Sequence, residues 1–413
     1  MAEKMWANSG DAHVLEQNSL WQRTMPPEMA ARMPRSEKLD DVTEMIHVDG
    51  RSFKRRMPRN PLVTEADALA IGRPAREVEA ARESELHFLD HISDVERAPG
   101  AWDVQIRMQD LDHEGIWGEV VYPSIGLWNG LIRDPVLYRE GVKVMNDWLK
   151  ATFIDVTKRS IPAAEISILS VDDAVAEAKR VAELGFRALS IPPSLGGGVP
   201  NWNDISWEPL WSIAEEANLV LGIHIAGDFK DVGQDGFMDM ADGYRGLGGA
   251  ILNYVDTTYG GQQAAAMLVA SGALDRHPGL KVLVSEGGAT WVPFIADRME
   301  EAYRQHGPYV RPKLKRPPRQ ILFEQVYASF QHDKTAVQAY LAMGYKNVMW
   351  GSDYPHHEGT FGHTQATLHE LFDDVPDKSD VYRMTRGAFL DLFPEVGEPP
   401  AEEQLVSNAA TTA

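Results

Sequence analysis

The segment Val348-Met-Trp-Gly-Ser-Asp353-Tyr-Pro-His356-His-Glu358 carries the strongest indication of the fold. It begins with a short apolar run, which is typical of a buried strand. After Gly351 it presents an acid, two histidines and a second acid. In α/β barrels, catalytic groups stand where a strand ends and its loop begins, and a carboxylate there can bind a metal or transfer a proton. Taken alone, the segment fits a turn with Asp353 as a cap equally well.

Similar apolar runs alternate with amphipathic stretches along the chain. Strands are predicted near 6–13 and at 119–123, 161–166, 188–192, 219–225, 281–286, 325–330 and from 348 onward. Helices are predicted at 137–154, 171–184, 207–217, 262–274, 291–305 and 335–343. This alternation is typical of βαβ units with a parallel sheet, and eight such strands form a (β/α)₈ TIM barrel. An open doubly wound sheet is the alternative, but no Gly-rich phosphate loop follows these strands.

Three regions depart from the repeat. Residues 17–110 are polar and interrupted by proline, and are predicted to be an insertion after the first strand that forms a partly helical cap. Residues 228–261 are Gly-rich with scattered aromatics, and a loop of this length predicts a functional lid over the barrel mouth. Residues 396–413 are predicted to be a disordered tail. The remainder, 1–395, is predicted to form a single barrel domain.

Composition excludes several classes of function. The net charge of -21 argues against nucleic acid as a partner, because phosphate binding needs a basic surface. No apolar run approaches the roughly 20 residues that a membrane helix needs. The first residues lack the apolar core of a signal peptide, and cysteine is absent, so a cytoplasmic location is expected. The basic cluster at 51–59 could receive an anionic substrate, although such runs are more often solvated surface.

Acids and imidazoles recur where the predicted strands end. Asp11 and His13 share one face of the first strand because side chains alternate along a strand. His224, Glu286 and Asp353 close three other strands. Each alone could be a cap, a turn residue or a core histidine, but barrel strand ends converge. Two imidazole nitrogens and two carboxylate oxygens suit Zn²⁺, Mn²⁺ or Fe²⁺.

The chain resembles the amidohydrolase-2 branch of the metal-dependent amidohydrolase superfamily, in which aminocarboxymuconate semialdehyde decarboxylase and related aromatic-acid decarboxylases are found. The matching stretches run in order through most of residues 5–395. They are Asp11-Ala-His-Val-Leu-Glu16 with Leu20-Trp21, Trp207-Glu-Pro-Leu-Trp-Ser-Ile-Ala-Glu-Glu216, Gly222-Ile-His224, Asp275-Arg-His-Pro-Gly-Leu-Lys-Val282, Glu286-Gly-Gly-Ala-Thr-Trp-Val-Pro293 and Gly351-Ser-Asp-Tyr-Pro-His356.

The resemblance implies a distorted barrel and assigns roles at the strand ends. Asp11 and His13 stand at the positions of the family's first-strand His-x-His motif, and an acid in the first position is familiar there. His224 matches the fifth-strand histidine ligand, and Asp353 matches the last-strand aspartate. Glu286 replaces a sixth-strand histidine that is linked to catalysis in the decarboxylases. It is therefore expected to act as an acid/base, to bind metal, or to mark a different reaction.

Other polar and aromatic residues are further candidates. His332 and His356 follow strand ends and are candidates for a second metal or for contacts to a metal ligand, and His356 is also a candidate catalytic group. An aromatic and polar wall for a planar substrate is predicted from Trp21, Tyr122, Trp128 and Asn129.

These features predict a metal-dependent enzyme without a nucleotide cofactor. It would hydrolyse or non-oxidatively decarboxylate a small organic acid, with Asp353 and Glu286 transferring protons. An O₂-activating enzyme with two metals, and a catalytically silent structural subunit, are the alternatives. The resemblance also implies a homodimer, or a heteromer with a paralogue.

Overall fold

The computed structural model describes residues 4–16, 19–40, 43–56, 99–124, 126–195, 198–225, 247–356 and 359–400. The strands in these ranges are β1 (Ala7–Ser9), β2 (His13–Val14), β3 (Arg35–Asp40), β4 (Thr43–Val48), β5 (Arg51–Arg56), β6 (Ile116–Pro123), β7 (Ser160–Glu165), β8 (Ala188–Ser190), β9 (Val220–His224), β10 (Val282–Ser285), β11 (Val326–Phe330) and β12 (Val348–Trp350).

Parallel strands form an almost closed barrel in the order β1-β6-β7-β8-β9-β10-β11-β12, and β2 continues the first strand along β6. The amide of Gly10 donates to the carbonyl of Trp350 over 2.8 Å, and Ala12 bridges to Tyr354, which joins the first barrel strand to the last. The predicted (β/α)₈ barrel is therefore confirmed. The pairing of β1 with β6 shifts register between Ala7 and Ser9, a bulge-like irregularity that precedes the site residues.

Helices surround the barrel. The longer ones are Val104–Glu114, Pro135–Leu149, Val171–Glu183, Glu208–Glu216, Tyr259–Ala270, Trp291–Gln305, Pro318–Gln325, Lys334–Met343 and Thr364–Phe372. Shorter ones are Leu20–Thr24, Pro27–Ala30, Gly249–Asp256, Ala273–Arg276, Lys378–Tyr382 and Ala388–Leu392. Several begin where the sequence supplies a cap: the carboxylates of Asp103 and Asp134 and the hydroxyl of Ser170 accept from backbone amides of the first turn.

The insertion after the first strand contains a small antiparallel sheet, β3-β4-β5, that the sequence analysis did not predict. The basic cluster supplies β5, and the Arg51 guanidinium donates to the carbonyl of Leu131. Residues 57–98 of the predicted cap lie outside the described residues. The same holds for residues 228–246 of the predicted lid and for residues 401–413 of the predicted tail.

The described end of the lid region is helical, since residues 249–256 form a helix and the next helix begins at Tyr259 rather than at residue 262. Among the described helices, none is both long and apolar enough to cross a membrane.

Side-chain alternation fills the barrel interior and orients the residues at its upper end. Its lower part contains apolar side chains from successive strands, and the helix Ala388–Leu392 packs against them. These interior residues are Val120, Ile161, Ala163, Ala188, Val220, Leu283, Tyr327 and Met349. The next inward positions along β7 and β9 are Glu165, Gly222 and His224. Gly222 has to be glycine, because a Cβ there would lie 2.6 Å from the Tyr122 hydroxyl.

A buried arginine connects the first strand to the wall of the barrel. Arg107 forms an ion pair with Glu119 over 2.6 and 2.8 Å, and both side chains are almost inaccessible to solvent. Arg107 also donates to the carbonyl of His13 over 2.8 Å, and its guanidinium lies 4.7 Å from the ring centre of Tyr354. Arg107 therefore holds the backbone of His13 in place and packs against the residue that follows Asp353.

Replacing Arg107 with methionine is expected to destabilise the protein by about 3–5 kcal/mol, because Glu119 would remain buried without its cation. Arg139→Met is the matched control, since its pair with Glu140 is about one-third exposed and such pairs contribute under about 1 kcal/mol. Denaturant unfolding of the three proteins measures both losses. Equal losses would contradict the buried pair, whereas recovery in an Arg107→Met/Glu119→Met double variant would support it.

Candidate metal centre

Four side chains from three strand ends converge at the upper end of the barrel. Asp11 and His13 come from the irregular first strand, His224 is the last residue of β9, and Asp353 follows β12. All four are buried, with exposures of 0%, 1%, 6% and 0% respectively. Each offers one ligand atom within 4.8 Å of the other three, so the predicted metal set is brought together.

The distances between these ligand atoms fit a single cation bound by all four residues. The Nε2 atoms of His13 and His224 are 2.9 Å apart, His224 Nε2 is 3.4 Å from Asp11 Oδ1, and His13 Nε2 is 3.5 Å from Asp353 Oδ1. The longest of these separations, His13 Nε2 to Asp11 Oδ1, is 4.0 Å. Two metal–ligand bonds of about 2.1 Å put their ligand atoms about 3 Å apart at a right angle and about 4.2 Å apart in line.

The hydrogen bonds around Asp11 and His224 leave an oxygen and a nitrogen that could bind a metal. Among the described residues, neither carboxylate oxygen of Asp11 has a hydrogen-bond partner of ordinary geometry, although both are buried. His224 directs Nδ1 to the carbonyl of Ile225 over 2.8 Å, which leaves Nε2 as the lone-pair nitrogen facing the acids. Buried carboxylates without donors are costly unless a cation is close. The residues present therefore fit a divalent metal, and the choice among Zn²⁺, Mn²⁺ and Fe²⁺ is open.

The two imidazoles respond to the site in opposite directions. Burial lowers the pKa of His13 well below its usual value, and the nearby His356, His224 and Arg107 lower it further. Burial also opposes charge on His224, but Asp11, Glu286 and Asp353 together raise its pKa to about 9. In the metal-free protein at neutral pH, the proton of the pair therefore resides on His224. A metal has to displace that proton when it binds.

Glu286 and His356 lie directly beside these four residues. Glu286 Oε2 is 3.4 Å from His224 Nε2, and His356 Nδ1 is 3.0 Å from Asp353 Oδ1. The His356 ring also stacks on His13 with 3.9 Å between ring centres. Both Glu286 and Asp353 adopt left-handed backbone conformations, with φ of 62° and 55°. Such strain at non-glycine residues concentrates at functional sites.

The four residues of the predicted substrate wall lie in different surroundings. Tyr122 lies beneath the histidines, with its ring 5.2 Å from that of His224, and shares a hydrogen bond with Ser285. Asn129 is buried and donates to Glu165 over 2.6 Å. Trp21 and Trp128 belong to the hydrophobic core, and the Trp21 indole donates to the carbonyl of Gly141. These two indoles are not among the described residues that line the cavity beside the site.

His332 is exposed and stacks on His363 with 5.7 Å between ring centres. It is not part of the four-residue group that the described chain offers to a metal.

A cavity opens beside His224. Apolar and polar side chains contribute about equally to its walls, and the polar members include Glu165, Arg133 and Ser190. The apolar lining is Ile166, Ile168, Ile191, Pro192, Pro193 and Leu195. Glu165 is a lining residue that was not predicted from the sequence. It ends the apolar strand β7 as His224 ends β9, so the pattern that indicated the candidate metal residues also applies to it.

Comparison with known proteins agrees with this fold. The family model described as amidohydrolase matches residues 87–388. No curated protein matches the sequence. Among solved structures, an amidohydrolase from Mycobacterium avium subsp. paratuberculosis K-10 shares 20% identity, covers 95% of this chain and 100% of its own, and has a TM-score of 0.69.

Two solved decarboxylases are also similar. The 5-carboxyvanillate decarboxylase from Sphingomonas paucimobilis shares 18% identity over 94% of this chain and 99% of its own, with a TM-score of 0.61. A dihydroxybenzoic acid decarboxylase from Polaromonas sp. JS666, solved with manganese and the inhibitor 2-nitroresorcinol, shares 17% identity over 81% of this chain and 94% of its own, with a TM-score of 0.56. The chain belongs to the amidohydrolase family and shares its fold with these solved structures.

Replacing Asp11 with asparagine is expected to weaken Mn²⁺ binding by more than about 10-fold, because a metal ligand loses its charge while the residue keeps its size. Isothermal titration of metal-stripped protein measures the affinity. A chelator should lower the melting temperature of the wild type and leave that of the variant nearly unchanged. Asp373→Asn, at an exposed residue that pairs with His369, is the control. Equal affinities for the wild type and the Asp11 variant would exclude Asp11 as a ligand.

Proposed function

We propose that this protein non-oxidatively decarboxylates a small aromatic organic acid with the help of one divalent metal. The observation that carries the proposal is the convergence of Asp11, His13, His224 and Asp353 beside a cavity with one apolar wall and several polar groups. These four residues would hold the metal. When bound, it would supply a Lewis-acidic charge that anchors an anionic substrate and stabilises the electrons left behind as CO₂ departs.

The cavity supports an aromatic acid as substrate. Isoleucine, leucine and proline side chains form walls that fit the apolar body of a ring. His224 places one end of the cavity at the ligand set, and Arg133 adds a cation that suits an acidic substrate. The two similar decarboxylases act on substituted benzoic acids by name, which agrees with this choice.

Glu286 is the proposed proton donor. Decarboxylation breaks the bond between the ring and the carboxyl carbon, the electron pair stays on the ring carbon, and that carbon must gain a proton. Glu286 stands beside His224 without belonging to the four-residue ligand set, so it remains available for proton transfer. Asp353 is oriented by His356, and this contact can carry the replacement proton from the loop toward the site.

Glu286→Gln is expected to lower kcat by about 10²–10⁴-fold while metal content remains that of the wild type, because the amide keeps the shape and loses the acid. Elemental analysis and steady-state kinetics on the same preparations measure both quantities. Glu286→His tests whether the family's usual residue restores activity. Loss of metal as severe as in Asp11→Asn would instead make Glu286 a ligand.

Product analysis separates decarboxylation from the other reactions. Mn²⁺-loaded protein is incubated with a panel of hydroxybenzoates and carboxybenzoates in ¹⁸O-labelled water under air. The expected result is CO₂ equal to the acid consumed, a product that has lost only the carboxyl group, and no O₂ uptake. Incorporation of ¹⁸O into an acid product would indicate hydrolysis, and O₂ consumption with two metals per chain would indicate an oxygenase. Either outcome would overturn the proposal.

A further inference from the structure

We infer that Glu165 contacts the substrate, and that it acts as a neutral carboxylic acid, oriented by Asn129, which donates a hydrogen bond to a second oxygen acceptor on the aromatic acid. The ligand class is thereby narrowed to ring acids that carry a further carboxylate, nitro, oxo or hydroxyl oxygen away from the metal-facing group. This inference rests on the proposed function, because it takes the cavity beside His224 as the substrate site.

The position of Glu165 in the barrel supports a role in binding. It is the last residue of β7 and follows Ile161 and Ala163, whose side chains fill the barrel interior. Alternation therefore directs Glu165 inward at the same end of the barrel as His224. Its residue partner in register is Ser190 of β8, which in turn pairs with Gly222 of β9. Glu165, Ser190 and His224 all line the one cavity.

The hydrogen bond from Asn129 distinguishes the two carboxyl oxygens of Glu165. The Asn129 side-chain amide donates to Oε2 over 2.6 Å. An amide N–H only donates, so Oε2 is the accepting oxygen. The other oxygen, Oε1, lies against Gly126, where an added Cβ would approach it to 2.5 Å, and Gly126 also lines the cavity. In the neutral acid, the O–H group is consequently placed on Oε1, where a ligand can accept from it.

The surroundings favour the neutral form. Glu165 is only 6% exposed. Burial raises the pKa of Glu165 to about 8, the Asn129 amide partly opposes this shift, and the charge of Glu16 adds to it. Glu16 itself accepts from the backbone amides of Ser124 and Gly126.

The other groups around Glu165 leave its neutral form favoured. Tyr138 lies near Glu165: burial raises the pKa of the Tyr138 hydroxyl, and the charge of Glu165 raises it further. On the backbone side, Asn146 bonds the amide and the carbonyl of Glu165, and it also donates to Glu177. Arg133 lines the same cavity and is a cationic group that would favour ionisation, whereas His224 loses its proton when it binds a metal.

The mechanism above does not use this acid. A buried carboxyl group that lines a cavity and keeps its proton at neutral pH is a hydrogen-bond donor of fixed direction. A ligand without an acceptor would leave that donor unpaired, which costs about 1–3 kcal/mol. Glu165 would therefore select between acids that share the metal-facing group and differ at the opposite edge of the ring.

The test uses the Mn²⁺-loaded full-length protein and a series of probes: benzoate and its hydroxy, nitro and carboxy derivatives at each ring position. Isothermal titration gives Kd for each, and product assays give kcat and KM for any that react. The wild type is expected to bind at least one substituted acid about 10-fold or more tightly than benzoate. Glu165→Leu should reduce this preference to less than about 2-fold, whereas Glu165→Gln should retain it, because its amide both accepts from Asn129 and donates to the ligand.

The pH dependence provides a second readout. Because the pKa of Glu165 is raised to about 8, the donating form is fully present well below pH 8 and is lost as pH rises through that value. The preference of the wild type should fall above pH 8, and that of Glu165→Gln should not. Glu215→Gln, which alters a contact to His277 on an outer helix, is the control and should behave as the wild type.

Undiminished preference in Glu165→Leu would overturn the inference, as would a Glu165→Gln variant that is as defective as Glu165→Leu. Absence of binding by every acid in the series would overturn it as well, provided that the protein retains its metal. The proposed function fails separately: binding with the expected preference, but without CO₂ release from any acid, would contradict decarboxylation and leave the role of Glu165 intact.

Discussion

Two fully buried carboxylates meet where the barrel closes, and the rest of the site depends on how their charge is balanced. The backbone amide of Asp353 donates to the carbonyl of Asp11 over 2.9 Å, so the contact between the first and last strands itself brings the two acids together. Burying anions side by side is strongly unfavourable without positive charge. The two carboxylates raise the pKa of His224, so in the metal-free protein a proton on this imidazole balances part of their charge. A divalent cation would balance more of it.

The surrounding structure holds this closure in place. Ser9 accepts from the amide of Ser352 over 2.8 Å and donates to the carbonyl of Asp11 over 2.5 Å. The pair between Arg107 and Glu119 fixes the carbonyl of His13 from the other side. The bulge-like irregularity, the left-handed residue at Asp353 and these buried polar contacts act on the same few residues. Local strain is therefore maintained by many contacts, which is the condition under which strained residues persist at a functional site.

The barrel and the four residues of the candidate metal site could be predicted because both follow from local patterns. Most barrel strands are apolar runs, and His224 and Asp353 are polar residues at the ends of such runs. Glu165 obeys the same rule, but its neighbour Ile166 made the apolar run seem to continue past it. Trp21 was predicted to contact the substrate, but the structure places it in the hydrophobic core. The sequence alone does not reveal whether an aromatic residue faces a cavity or the core.

Other features depend on contacts between distant residues and could not be read from the sequence. The small sheet β3-β4-β5 contains charged residues along most of its exposed positions, so no apolar period indicates strands there. The orientation of Glu165 depends on Asn129, 36 residues away in the chain, and that of Asp353 depends on a loop histidine. The sequence supplies the chemical groups at each strand end, and the closure of the barrel determines which of them touch.

Asp11, His13, His224 and Asp353 are expected to hold one divalent metal. Anomalous X-ray diffraction from crystals of the Mn²⁺-loaded protein can locate that metal independently of activity. A single anomalous peak is expected among these four side chains, within bonding distance of each. A peak elsewhere, two peaks with Glu286 or His332 among the ligands, or no peak at saturating Mn²⁺ would contradict it.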